Sequence, residues 1–186
     1  MKIKKLVLIC ISCLYIQGMY AQRHYSGVRG VECNYGLNTF GRNNTLLNLS
    51  VSKYKNRTTI LEMGLSYFEK SYVFQCPSLV DQQSTTVCST AKDFYLDATY
   101  SKTVASNLSF FYLNLGIGAF IGVEKYAEAD GNKYDFLLGP QIKAETEIFV
   151  LPRVALLVGI TQYWSPFSGI SKWNTVWNTG VKVLLY

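Results

Sequence analysis

The chain has 186 residues, a formal net charge of +6, aromatic residues at 15% and charged residues at only 16%. That length supports one domain rather than two. Its basic balance is no argument for nucleic acid, because Lys2, Lys4 and Lys5 sit in a leader-like N-terminus, and removing them leaves 15 basic against 12 acidic residues.

In that N-terminus an apolar run over 6–16 separates the lysines from Met19-Tyr20-Ala21-Gln22, the layout of a secretory signal peptide. Cleavage is expected after Ala21, leaving 22–186 as the mature domain. The 11-residue run is too short for a spanning helix, which needs about 20 residues. Lipidation at Cys10 or Cys13 is the alternative, although Cys10-Ile11-Ser12 is a poor context before Cys13. No later apolar run reaches spanning length, so a membrane would be crossed as strands. Three cysteines, Cys33, Cys76 and Cys88, then remain for an oxidising compartment.

A period of two recurs along the rest of the chain and predicts strands. From Gly30, Val31, Cys33, Tyr35 and Leu37 oppose Glu32, Asn34 and Gly36. A second strand carries Leu47, Leu49 and Val51 on one face. After a short turn at 54–57, a third sets Thr59, Leu61, Met63, Leu65 and Tyr67 against Glu62, Gly64 and Ser66. A polar loop is expected over 71–91. Cys76 and Cys88 lie within it, and their spacing allows a loop disulfide; two unpaired thiols are the alternative. The fourth strand sets Phe94, Leu96, Ala98 and Tyr100 against Asp97, Thr99 and Ser101, with a turn over 102–107.

The fifth, 108–124, alternates Leu115, Ile117, Ala119 and Ile121 with Gly116, Gly118, Phe120 and Gly122, glycines that leave room in a narrow interior. No helix pattern follows them, so they are no nucleotide loop. A second polar loop covers 125–134, with Asp130-Gly131-Asn132 as a turn. The sixth strand carries Lys143, Glu145 and Glu147 on one face, and the seventh follows a turn over 148–153. The last, 172–186, alternates through Trp173, Trp177, Val181 and Val183 and needs a partner for its edge. Closure onto the first strand supplies one. Asn178, Gly180, Val183 and Leu185, with the terminal Tyr186, resemble the C-terminal signal of outer-membrane barrels, which implies handling by a barrel-assembly machinery.

The fold expected is therefore all-β: a single antiparallel up-and-down barrel of about eight strands, of the outer-membrane type. The tyrosines, 14 in number, suit interfacial girdles facing outer-membrane lipid. A lipocalin-like barrel would turn the apolar face inward, and the other face holds Glu32, Glu62, Asp97, Glu124, Lys143, Glu145, Glu147 and Lys182, too many charges for a dry outside-in arrangement. These charges are read as a paired polar network filling the lumen, not as acid-base machinery. The one histidine, His24, precedes the first strand. A His-containing hydrolase triad is therefore not expected in the barrel, nor a metal centre, and no cofactor or catalytic residue is assigned.

Several stretches resemble the conjugative transposon TraO proteins of Bacteroides-type bacteria. They are Gly27-Val28-Arg29-Gly30-Val31-Glu32, Val51-Ser52-Lys53-Tyr54, and Gly64-Leu65-Ser66-Tyr67 with Lys70 and Tyr72. Further on come Leu113-Asn114-Leu115-Gly116-Ile117-Gly118-Ala119 with Gly122 and Glu124, then Gly139, Glu145, Glu147 and 153–157, and finally Gly180-Val181-Lys182. Segments 76–88 and 160–164 depart from that pattern. The resemblance implies an outer-membrane structural or accessory part of a DNA-transfer apparatus, partnered by other conjugal transfer proteins and without direct nucleic-acid binding. A general surface barrel for adhesion or resistance is the alternative, and a lipid-modifying barrel enzyme a third.

Overall fold

The computed structural model describes residues 24–38, 44–76, 85–107, 109–128 and 131–186, with the side chains of 73–76, 85–88 and 128 outside that description. The expected signal peptide over 1–21 lies outside the described residues. Eight strands follow in order: β1 (Arg29–Asn38), β2 (Thr45–Tyr54), β3 (Thr59–Cys76), β4 (Thr85–Ser106), β5 (Phe111–Glu128), β6 (Gly131–Phe149), β7 (Val154–Trp164) and β8 (Trp173–Leu185). Each pairs antiparallel with its neighbours, and β8 returns to β1 to close the barrel. The closing ladder runs from Arg29 opposite Leu185 to Asn38 opposite Val176, which is the partner that the alternation over 172–186 required.

Burial follows the pleat, with exposed and buried positions alternating along β1 and β2. The exposed set is the apolar one: Ile117, Ile142 and Leu65 keep 66%, 63% and 59% of their surface. In water so continuous an apolar surface would drive association. It is matched instead to hydrocarbon, in which a closed barrel leaves no backbone group unpaired. On β4 the outward apolar run from Phe94 to Tyr100 lies between exposed Lys92 and Lys102. Ten residues at about 3.3 Å each, tilted near 45°, rise roughly 23 Å, close to the height of a bilayer's apolar band.

Two connections expected as long loops are mostly sheet. β3 and β4 stay paired as far as Cys76 opposite Thr85, and β5 and β6 as far as Glu128 opposite Gly131. The sequence lost its alternation there for a physical reason: strands that leave the bilayer no longer need an apolar face, while their backbones go on pairing. As a result β3 to β6 contain 18, 22, 18 and 19 residues, against 10, 10, 11 and 13 in β1, β2, β7 and β8. The barrel therefore has a hairpin end and a short-turn end, with β1 starting and β8 finishing at the latter. At the β5–β6 tip Gly131 has φ +126°, a conformation glycine reaches without steric cost.

The same register bears on the cysteines. The side chains of Cys76 and Cys88 lie outside the described residues, but Cys76 stands opposite Thr85 and Cys88 opposite Val73. Three residues of offset is about 10 Å along a strand, beyond the roughly 7 Å that a disulfide spans. Cys33 is free and exposed on the outer face of β1. The expected turn at 102–107 is also shorter, since β4 continues to Ser106 through a bulge between Thr103 and Ala105.

Placing Arg at Leu65, midway up the apolar band of β3, is expected to destabilise the barrel in lipid vesicles by about 2–4 kcal/mol, and Lys102→Arg at the band's edge by less than about 1 kcal/mol. Urea titrations followed by tryptophan fluorescence would measure both.

Candidate functional site

An eight-stranded lumen is just wide enough for side chains to fill, and in this chain the filling is ionic at its centre. All seven expected lumen residues, Glu32, Glu62, Asp97, Lys143, Glu145, Glu147 and Lys182, point inward and are buried. The Lys143 ammonium lies 2.7 and 2.9 Å from the two Glu62 oxygens, 2.9 Å from Glu145 and 4.0 Å from Glu32. The Lys182 ammonium lies 2.6 Å from Glu147, 3.0 Å from Glu32 and 3.8 Å from Glu145. Two lysines thus bind four glutamates into one belt across β1, β3, β6 and β8. Asp97 stands beside the belt and accepts hydrogen bonds from Ser66 Oγ at 3.1 Å and Asn48 Nδ2 at 3.4 Å.

Inward glycines make the room. A Cβ at Gly64 would stand 2.9 Å from Asp97 Oδ1, and one at Gly180 2.0 Å from Asn34 Oδ1. Glu32, Glu62 and Glu145 bring carboxylate oxygens within 4.8 Å of one another, but the Lys143 ammonium already stands where a cation would bind them. The space beside Glu62, Asp97 and Lys143 amounts to about 10 Å³, room for one water at most. A space of that size among the described residues holds no column of water.

His24 corrects the expectation from sequence. It precedes β1, yet it is fully buried inside the short-turn end. Its ring stacks on Tyr112 with centroids 3.8 Å apart, and its Nε2 donates to Glu147 Oε2 at 3.1 Å. Glu147 also accepts from Asn114 Nδ2 at 2.8 Å and from the Tyr54 hydroxyl at 3.2 Å. Around them Val28, Tyr54, Ile60, Tyr112, Phe149, Ala155 and Leu184 form an apolar stopper. The barrel does contain a histidine, so its position in the chain no longer argues against a triad. Among the described residues, however, Nδ1 has no hydrogen-bond partner, and the Nε2 bond goes to a carboxylate rather than to a nucleophilic hydroxyl or thiol.

Toward the hairpin end comes a second apolar layer that includes Leu46, Phe68, Tyr95, Phe120, Leu137, Tyr163 and Val176. Above it lies a second ionic cluster, of which the sequence reading had assigned only Glu124 to the lumen. Lys70 reaches Asp93 at 2.6 Å and Glu124 at 3.1 Å. The connection 165–172 folds over them, with Ser168 Oγ donating to both Glu124 oxygens at 2.9 Å and the Gly169 amide donating at 3.1 Å. Lys70 and Asp93 were missed because they flank the stretch read as a loop; extending the inward parity by two further inward positions, through Phe68 on β3 and Tyr95 on β4, would have found both.

No protein-family model matches the chain, and no curated protein does. Several solved structures share its fold. The N-terminal β-barrel domain of Pseudomonas aeruginosa OprF superposes with TM-score 0.57 at 13% identity, covering 86% of this chain and 98% of that one. Ail, the attachment invasion locus protein of Yersinia pestis, solved with the heparin analogue sucrose octasulfate, gives 0.56 at 12%, covering 86% and 99%. Neisserial surface protein A gives 0.55 at 13%, covering 84% and 94%. At these identities the likeness establishes the eight-stranded outer-membrane barrel fold.

Lys182→Met removes the cation shared by Glu32, Glu145 and Glu147, and unfolding in lipid vesicles is expected to show a loss of about 3–5 kcal/mol. Lys92→Ala removes only the exposed pair with Glu69 at 3.8 Å and should cost less than about 1 kcal/mol. His24→Ala removes a hydrogen bond to a charged group, worth about 1.5–3 kcal/mol. Hydrogen exchange should then quicken at the Gly27 amide, which donates to the Tyr54 carbonyl at 2.8 Å.

Proposed function

We propose that this chain is a small surface barrel of the outer membrane, its short turns toward the periplasm, acting in attachment through its projecting hairpins and without catalysis. The observation that carries this reading is the extension of β3 to β6 beyond the other strands, above a lumen closed by ion pairs. A filled lumen leaves the protein's working surface outside, and the two long hairpins hold most of that surface at one end. Placement in the outer membrane is supported by the apolar exterior, the C-terminal strand and the similar solved barrels. The attachment role draws support from Ail, described as an attachment invasion locus protein, and from the Neisserial surface protein; this is an analogy of form.

The resemblance to TraO proteins supports a second reading, an accessory part of a DNA-transfer apparatus, and the order and spacing of the quoted segments are the observation behind it. One set of strains separates the two. Replacing residues 72–89 by Asn-Gly keeps the barrel and shortens the β3–β4 hairpin. Attachment of cells to host-cell and heparin-coated surfaces is expected to fall to the level of the gene deletion, while the protein still migrates faster unheated than heated on gels. Unchanged attachment with a lowered conjugal transfer frequency would favour the second reading, and no change in either measurement would sink both.

A further inference from the structure

Two of the stretches noted in the sequence, 27–32 and 51–54, are brought side by side by the β1–β2 ladder, which sets Arg29 directly opposite Lys53. Both side chains are exposed on the outer face, and neither forms an ion pair among the described residues. Like charges opposed across a ladder disfavour the pairing. An apolar groove of about 500 Å³ runs from this pair along the barrel wall, with Val31, Val51, Leu61, Met63 and Leu185 lining it. Val31, Val51 and Met63 occupy one rung, immediately toward the bilayer's middle from the rung of Arg29, Lys53 and Leu61. The surroundings repeat the sign: Lys55, Arg57, Lys102 and Arg153 are exposed at the same end, where no described Asp or Glu is exposed.

We propose that this groove binds one anionic glycerophospholipid from the leaflet at the short-turn end. Its phosphate lies between the Arg29 guanidinium and the Lys53 ammonium, and one acyl chain lies along Val31, Val51 and Met63. The chemistry calls for a ligand negative at one end and apolar at the other, because the cations stand at the edge of the apolar band and the groove below them is hydrocarbon-lined. Arg29 supplies the planar fork that grips a phosphate through two parallel bonds, and Lys53 a movable point charge. A second copy of the chain is a poor occupant, since a two-fold contact would set this cationic patch against itself. The site rests on the membrane placement proposed above and is independent of attachment.

Native mass spectrometry of the full-length mature protein in micelles tests it, with phosphatidylglycerol and phosphatidylcholine of identical acyl chains titrated in turn. The intact barrel is expected to retain one phosphatidylglycerol in preference to phosphatidylcholine. Arg29→Gln with Lys53→Gln should weaken that retention about tenfold and erase the preference, whereas Lys102→Gln should leave both unchanged. Val51→Trp fills the groove while leaving both cations in the chain and should weaken retention too. Equal retention of the two lipids by the unsubstituted protein overturns the proposal whatever the variants do. So does an unaltered preference in the double variant, or a dimer that Val51→Trp abolishes. Protein that never enters lipid vesicles would instead refute the membrane placement; an inserted barrel without a preference refutes the site alone.

Discussion

Inside hydrocarbon no water competes for a peptide group, so an unpaired strand edge costs several kcal/mol per exposed group. The β1–β8 ladder removes the two edges, one on β1 and one on β8, that seven connections leave open, and the remaining structure depends on it. Closure at eight strands fixes a lumen about as wide as the side chains that enter it. Every inward position must then be filled without stranding a charge, and the Lys143 and Lys182 ammonium groups achieve this by bridging Glu32, Glu62, Glu145 and Glu147. Lys182 on β8 and Glu32 on β1 meet across the closing seam itself, so the lumen network and the backbone ladder support the same contact.

The lumen is layered rather than uniformly polar. An apolar stopper with His24 at the short-turn end, the central ionic belt, a second apolar layer and the Lys70 cluster under the 165–172 connection succeed one another along the axis. Apolar layers exclude water from the ionic ones, which strengthens the ion pairs and raises the cost of losing either partner. A barrel sealed this way has its accessible chemistry outside. The hairpin end presents a broad sheet of mixed polarity, and the short-turn end presents a rim whose exposed charged side chains among the described residues are all positive. The two ends therefore differ in kind, and the proposed attachment surface and lipid site each rest on that difference.

The strand count, the faces and the closure were legible because a bilayer-spanning barrel writes a period of two into each strand, apolar outward, and all seven lumen residues named from that period are inward. The legibility stopped where the bilayer stops. At Glu69, Lys92 and Lys125 the outward positions cease to be apolar, the clean alternation ends, and paired strands read as loops, which hid Lys70 and Asp93. The offset of Cys76 from Cys88 likewise depends on the register of β3 against β4 and not on the spacing between the cysteines.

By itself, then, the sequence determined the architecture of this protein and the polarity of its two faces, because both follow from local alternation against a two-phase solvent. Only the tertiary structure decided which lysine meets which glutamate, that His24 folds back to reach Glu147 across 123 positions of sequence, and that Arg29 and Lys53 share one groove. Those contacts join residues far apart in the chain, and their partners are selected by strand register and barrel closure, which no local periodicity encodes.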